Sequence, residues 1–132
     1  LRPALVEDLA DLATLDAACF DVLWHMGQGD LRQLLLFGAV TLAVVDGCLA
    51  GYVAITTRDD VAQVARIGVH PAYHRRGIGR QLLLAGLRTA VDLGCRSAVL
   101  NTQSTNQRAQ ALYRSLGFHP TEEQFMVYTL RI

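Results

Sequence analysis

The sequence predicts one α/β (α+β) domain: a mixed, mostly antiparallel central sheet of about seven strands flanked by about four helices. Three observations carry that prediction. Three strand-like runs between residues 39 and 69 follow one another through tight turns. A basic, glycine-containing turn at residues 74–80 then leads into an amphipathic helix and a nearly continuous apolar strand. Two more strand-like runs close the chain between residues 118 and 132.

The chain of 132 residues is the length of one domain, so residues 1–132 are read as a single unit. Hydrophobic residues make up 52% of it, which excludes a disordered chain. Twelve basic and twelve acidic side chains cancel, so no overall field exists to hold nucleic acid, and no nucleic-acid partner is expected. The three cysteines, Cys19, Cys48 and Cys95, lack the spacing of a zinc or redox motif and read as reduced thiols of a cytoplasmic protein. His25, His70, His74 and His119 are too scattered for a metal site. No leader pattern is visible and no apolar run reaches the roughly 18 residues of a membrane span. A monomer or homodimer with no membrane contact is expected.

Leu1 to Val6 reads as a short strand, and residues 7–20 as a helix with Leu9, Leu12, Ala13 and Phe20 toward one side. Residues 21–29 break the pattern and read as a loop around Trp24, His25 and Met26. Asp30 is placed to cap a short helix, Leu31 to Phe37. Ala39–Val45 and Cys48–Thr57 are strands joined by Asp46-Gly47, whose residues tolerate the positive φ of a tight hairpin. Arg58-Asp59-Asp60 makes the next turn into a strand over Val61–Val69, where Gly68 marks a bulge or a close backbone approach. Leu83, Leu87, Ala90 and Val91 give the helix from Ile78 to Leu93 its buried stripe, and Gly94 ends it. Ser97–Thr102 is apolar enough to be a central strand. A helix over residues 106–116 stops at Gly117, and strands over Phe118–Glu123 and Phe125–Ile132 complete the chain.

The turn at residues 74–80 carries the chemistry. Gly77 and Gly79 bare the backbone amides at the start of a helix, and Arg75, Arg76 and Arg80 surround them with positive charge. Amides and a helix N-terminus aimed at one point make a site for a phosphate group. A dinucleotide fingerprint does not fit, because its third glycine would fall at Leu82.

The run His74-Arg75-Arg76-Gly77-Ile78-Gly79 resembles the pyrophosphate-binding pattern of the GNAT superfamily of acetyl-CoA-dependent N-acetyltransferases, Gln/Arg-x-x-Gly-x-Gly/Ala. It departs in its first slot, which holds His74. About 30 residues on, Asn106, Ala109, Leu112-Tyr113 and Leu116-Gly117-Phe118 resemble that family's C-terminal signature, and the order of strands and helices agrees over nearly the whole chain. The resemblance implies the acyl-CoA N-acyltransferase fold and acetyl-CoA as cosubstrate, without a metal. It implies that His74, Arg75, Arg76, Gly77, Ile78, Gly79 and Arg80 hold the diphosphate. The pantetheine arm would lie along Ile67, Gly68 and Val69 in the manner of an added strand, and the strands ending at Val69 and Asn101 would part to admit the thioester. Asn101, Asn106 and Ala109 would line the cofactor.

Asn106 and Tyr113 are seven residues apart and fall on one helical face, whereas Leu112 and Leu116 fall on another, read as the core face. The resemblance assigns Tyr113 the protonation of the departing thiolate. No carboxylate stands at a strand position suited to a general base, since the strands offer Gln63, Arg66 and Asn101. Glu122, Glu123, Asp59, Asp60 and His25 remain candidates, beside a relayed water or an acceptor that is already deprotonated. The acceptor, a primary amine of a small molecule or a peptide, would meet residues 20–35 and the last hairpin, with Trp24, His25, Met26 and Phe125 as an apolar wall. An acyl-CoA-binding domain without turnover is the alternative reading.

Overall fold

A computed structural model describes residues 1–19, 28–101, 107–120 and 127–132. The seven strands are β1 (Arg2–Pro3), β2 (Ala39–Val45), β3 (Cys48–Arg58), β4 (Val61–Val69), β5 (Ser97–Asn101), β6 (His119–Pro120) and β7 (Val127–Arg131). The four helices are α1 (Leu9–Cys19), α2 (Gln28–Phe37), α3 (Ile78–Asp92) and α4 (Gln107–Ser115). The strands form one sheet in the order β1-β2-β3-β4-β5-β7-β6. Its pairs are antiparallel except β4 with β5, which run parallel because α3 crosses over between them.

Each face of the sheet carries its own apolar core. Leu82, Leu83, Leu87 and Ala90 of α3 pack on Val53, Ile55, Ala62 and Val64, and Tyr113 and Phe118 join them from the α4 end. On the opposite face Leu12 and Leu15 of α1 and Leu31 of α2 cover Val40, Leu42, Tyr52 and Ala54. The 3.6-residue period of the helices meets the two-residue period of the strands on both sides, which is what a covered sheet requires. The first hairpin forms as expected, with Asp46 and Gly47 at φ of 50° and 79°.

Three local expectations change. Only Arg2 and Pro3 of the first predicted strand pair with the sheet, and a single 3₁₀ turn over Val6–Asp8 precedes α1. The Asp8 carboxylate accepts from the Leu5 N–H at 2.7 Å and from the Arg2 guanidinium at 2.9 Å, which ties the chain end to that turn. Asp30 is not the cap of α2, because the helix begins at Gln28 and Asp30 lies in its first turn, where its charge suits the positive helix end. The bulge in β4 is at Ala65 rather than Gly68: Arg66 pairs with Ala54 and Val64 with Ile55, leaving Ala65 as the extra residue. Gly68 pairs with Tyr52 at a point of close approach, where a Cβ on the facing Gly51 would stand 2.8 Å from the Gly68 carbonyl oxygen and 2.9 Å from a Leu82 methyl.

That approach sets a testable contrast. Gly51→Ala must push β3 from β4 or displace Leu82, and should cost about 2–4 kcal/mol of stability in denaturant unfolding. Gly47→Ala, at a positive φ but in open space, should cost only about 1 kcal/mol. Equal effects would contradict the packing described.

Candidate functional site

The site begins where β4 leaves β5. Their parallel pairing runs from Val61–Ser97 to Val64–Leu100 and stops there, while β4 continues to Val69. The bulged Ala65 follows the last pair directly. From that point, among the described residues, β4 pairs with β3 only. The His70 N–H donates to the Ala50 carbonyl across β3 at 2.7 Å. Antiparallel alternation therefore turns the N–H and C=O of Ile67 and Val69 to the opposite edge, where β5 has parted from the strand. β5 meanwhile stays paired with β7 as far as Asn101 and Val127. The predicted divergence of the two strands is thus present, with its apex at Val64 and Leu100.

The free edge runs straight into the basic turn. His70 heads a 3₁₀ turn over Pro71–Tyr73, and its Nδ1 accepts from the Ala72 N–H at 3.0 Å. The His74 ring reaches back, with Nε2 and the Val69 carbonyl oxygen 2.9 Å apart. Val69 accepts there, so Nε2 is the donor. The next residues alternate in hand: Arg75 at φ 66° and Gly77 at φ 75° are both left-handed. A left-handed arginine is uncommon and its backbone is strained. Gly77 is the N-cap of α3 and offers no side chain to its amides, and the first bond back into the helix is from Gln81 N–H to Gly77 O at 3.1 Å. The N–H groups of Ile78, Gly79 and Arg80 therefore have no acceptor among the described residues. Open space surrounds Gly77, and a Cβ there would meet nothing within 4 Å. The Arg76 guanidinium stacks on the Tyr73 ring, 5.3 Å from its centroid. Exposed arginines, unsatisfied amides and a helix N-terminus converge, as the chemistry of a diphosphate requires.

Tyr113 differs from expectation. The sequence reading put Leu112 and Leu116 on the core face of α4 and left Tyr113 off it. Tyr113 is 4% exposed and belongs to the core, whereas Leu112 and Leu116 are half-buried. The reason is aromatic packing. Its ring sits about 6 Å from those of Phe118 (6.1 Å) and Tyr128 (6.0 Å), and the hydroxyl of Tyr128 donates to Gln110 on the preceding turn of α4. Burial pushes the Tyr113 hydroxyl up to about 12, so it is a proton donor and not a phenolate at neutral pH. That hydroxyl has no hydrogen-bond partner among the described residues, and no buried polar side-chain atom among them is left without one.

The remaining expectations divide. Asn101 ends β5 and Ala109 lies within α4. Asn106, Glu122, Glu123, Phe125, Trp24, His25 and Met26 lie outside the described residues. Asp59 and Asp60 turn from β3 into β4 at the end opposite the basic turn, a full strand away, so they are not beside the site. A hollow of about 340 Å³ near them, lined by Thr56, Thr57, Gln63 and Val99 among others, is likewise separate from the basic turn. Among the described residues no cluster of three or more His, Cys, Asp or Glu could hold a metal, and no helix is long and apolar enough to cross a membrane.

Asp16 was missed altogether. It is fully buried, and Tyr52 donates to its Oδ1 at 2.5 Å. Arg66 grips both its oxygens, Nε to Oδ1 at 2.8 Å and a terminal nitrogen to Oδ2 at 3.1 Å. Burial, then the carboxylate beside it, raises Tyr52 far above an ordinary phenol, and the same two causes push Cys19 up to about 12. The signal was present: Asp16 lies four residues after Leu12 on the stripe that α1 buries.

The backbone amides of the turn yield a prediction. Gly77→Ala keeps the space but strains the left-handed cap, and should weaken coenzyme A binding about fivefold with a loss of about 1 kcal/mol in stability. Gly79→Ala places its Cβ at ordinary contact, 3.5 Å from Leu112 and 3.6 Å from Val69, and should leave both unchanged. Titration calorimetry and thermal melts of the two variants check this; a Gly79→Ala variant worse than Gly77→Ala would contradict it.

Comparison with known proteins agrees with this geometry. The model of the acetyltransferase (GNAT) family matches residues 9–118. A mycothiol acetyltransferase from Nocardia farcinica is 32% identical over 86% of this chain and 42% of its own length. The aminoglycoside N(6')-acetyltransferase type 1 of Salmonella typhimurium is 30% identical over 74% of each chain. The chain thus spans less than half the length of the mycothiol acetyltransferases it matches. The PaiA N-acetyltransferase of Thermoplasma acidophilum, solved with coenzyme A, shares the fold at a TM-score of 0.89 and 16% identity, covering 99% of this chain and 97% of that one. The parted strands, the basic turn and the family match over most of the chain lead to one conclusion: this protein belongs to the GNAT acetyltransferase family.

Proposed function

We propose that this protein transfers an acetyl group from acetyl-CoA to a primary amine within a ternary complex. The observation that carries the reading is the edge of β4 that parts from β5 after Val64 and leads, through the basic turn, to the N-terminus of α3, whose first amides have no acceptor among the described residues. An extended amide-bearing arm can pair with such an edge while its diphosphate meets the amides of Ile78, Gly79 and Arg80 and the charge of Arg75 and Arg76. Acetyl-CoA is a substrate here, and it brings the acetyl group as a thioester. Its binding set is Ile67, Gly68 and Val69 on the edge, His74 to Arg80 in the turn, Asn101 at the end of β5, Ala109 in α4, and Asn106.

In the transfer the amine nitrogen bonds to the acetyl carbon, the carbon–sulfur bond breaks, and the sulfur takes a proton. Tyr113 supplies that proton: its hydroxyl stays protonated to about pH 12 and has no hydrogen-bond partner among the described residues. The amine arrives as its free base; after its nitrogen bonds to the acetyl carbon it gives up one proton to water, and Tyr113 recovers a proton from solvent, so that the products are the amide and the thiol of coenzyme A. Support for a small polar amine as acceptor comes from the aminoglycoside acetyltransferase of Salmonella typhimurium, a relative that matches over equal shares of both chains. The unpaired thiols of Cys19, Cys48 and Cys95 support a reducing, cytoplasmic setting.

The test is release of coenzyme A from acetyl-CoA against a panel of amino sugars, aminoglycosides, polyamines and peptides with free N-termini. Turnover with an amino sugar or aminoglycoside, and none with peptides, is expected. Absence of turnover with every member would overturn the reading. Saturating acetyl-CoA, at about 100 times its Kd, should also raise the melting temperature by about 8 °C.

Tyr113→Phe should lower kcat about 100-fold while leaving the Kd for coenzyme A unchanged. Because the tyrosine does not ionise below about pH 12, the wild-type pH–rate profile should show no alkaline fall that the variant lacks. Full activity of the variant would remove Tyr113 from this role.

A further inference from the structure

We infer that Asp16, acting through Arg66, is a positioning residue for the proposed acetyl transfer, holding the bulged segment of β4 that presents its free edge to the cosubstrate. Four observations meet at this point. Arg66 is the residue next to the bulged Ala65, two positions beyond the last β4–β5 pair, and it leads into Ile67–Val69, the part of β4 that no longer pairs with β5. Its guanidinium crosses to the opposite face of the sheet from α3 and forks onto both oxygens of Asp16. Tyr52, which pairs with Gly68 across β3 and β4, donates to the same carboxylate. The carboxylate thus joins α1, β3 and β4 around the one irregularity in β4, with side-chain exposures of 1% for Asp16 and 15% for Arg66.

A buried ion pair adds little net stability over an apolar pair of the same volume. What it adds is direction. A planar fork on a carboxylate fixes the approach of the arginine and with it the backbone that bears it. Bulges recur beside active sites because they re-aim the strand. Here the re-aimed residues are Ile67 and Val69; the outward N–H and C=O of Ile67 and the N–H of Val69 set where an extended substrate arm would lie. Misplacing that arm by about 1 Å would slow the reaction by up to 100-fold.

The inference rests on the acetyl-transfer reading, and the experiment separates the two. Arg66→Lys keeps a cation beside Asp16 but loses the fork. Asp16→Leu combined with Arg66→Met removes both charges together, so neither is left buried alone. The first measurement is amide hydrogen exchange of the protein without substrate. In both variants Gly68 and His70, which bond to β3, should exchange about tenfold faster than in the wild type, with β2 unchanged. The second is steady-state kinetics: kcat should fall at least tenfold, with the Kd for coenzyme A within threefold of the wild type. Wild-type exchange at Gly68 and His70 in Arg66→Lys would overturn the inference whatever the activity. So would a double variant that keeps the wild-type kcat. A wild-type protein that turns over no amine overturns the transfer reading instead, and the exchange rates still decide whether Asp16 and Arg66 hold the strand.

Discussion

β4 stops pairing with β5 at Val64 but continues to Val69, and the functional half of the molecule is arranged around that parting. A strand bonded on one side only is normally a liability, since its free N–H and C=O groups invite pairing with another chain. Here the open stretch is interior to the sheet order, between β3 and the departing β5, and it is short. The bulge at Ala65 starts it and the 3₁₀ turn at Pro71–Tyr73 ends it. Both faces of the sheet are covered nearby, by α3 on one side and by α1 and α2 on the other. The edge is therefore held rigid where a substrate must bind to it, which keeps the ordering cost of binding low.

The same economy appears in the turn. Gly77 caps α3 without a side chain, so the amides that a serine or aspartate would normally satisfy stay available to an anion. Arg75 accepts a left-handed backbone to bring the amides round. Strain of this kind persists where the surrounding structure holds it, and the His74–Val69 bond and the Arg76–Tyr73 stack both anchor the segment. His74 occupies a slot where the family pattern has Gln or Arg, and its ring is used toward the strand edge rather than toward solvent alone.

Much of this was legible in the sequence. The strand and helix order, the Asp46-Gly47 hairpin and the basic turn follow from local signals: period, turn chemistry and glycine spacing; the parting of two strands was expected only from the family resemblance. What escaped was decided by packing between distant segments. Tyr113 was read off the core face from helical spacing, but Phe118 and Tyr128 surround it, and no count along α4 reveals a pocket made by other elements. Gly68 was read as a bulge or a close backbone approach; it is the close approach, and register with β3 puts the bulge at Ala65. Asp16 sits on an apolar stripe of α1, and its partners Tyr52 and Arg66 lie 36 and 50 residues away. An acid on a buried helical stripe is a signal that something must pair with it, though the sequence does not name the partner.

The central claim is that two sets of open backbone groups, on Ile67 and Val69 of β4 and on Ile78, Gly79 and Arg80 at the start of α3, receive the cosubstrate. Titration of isotope-labelled protein with coenzyme A, followed through its amide resonances, tests this most directly. The largest shifts should fall on the N–H groups of Ile67, Val69, Ile78, Gly79 and Arg80, with little change at Thr56, Thr57 and Gln63 beside the separate hollow. Shifts centred on that hollow, or none along β4 and the start of α3, would contradict the account.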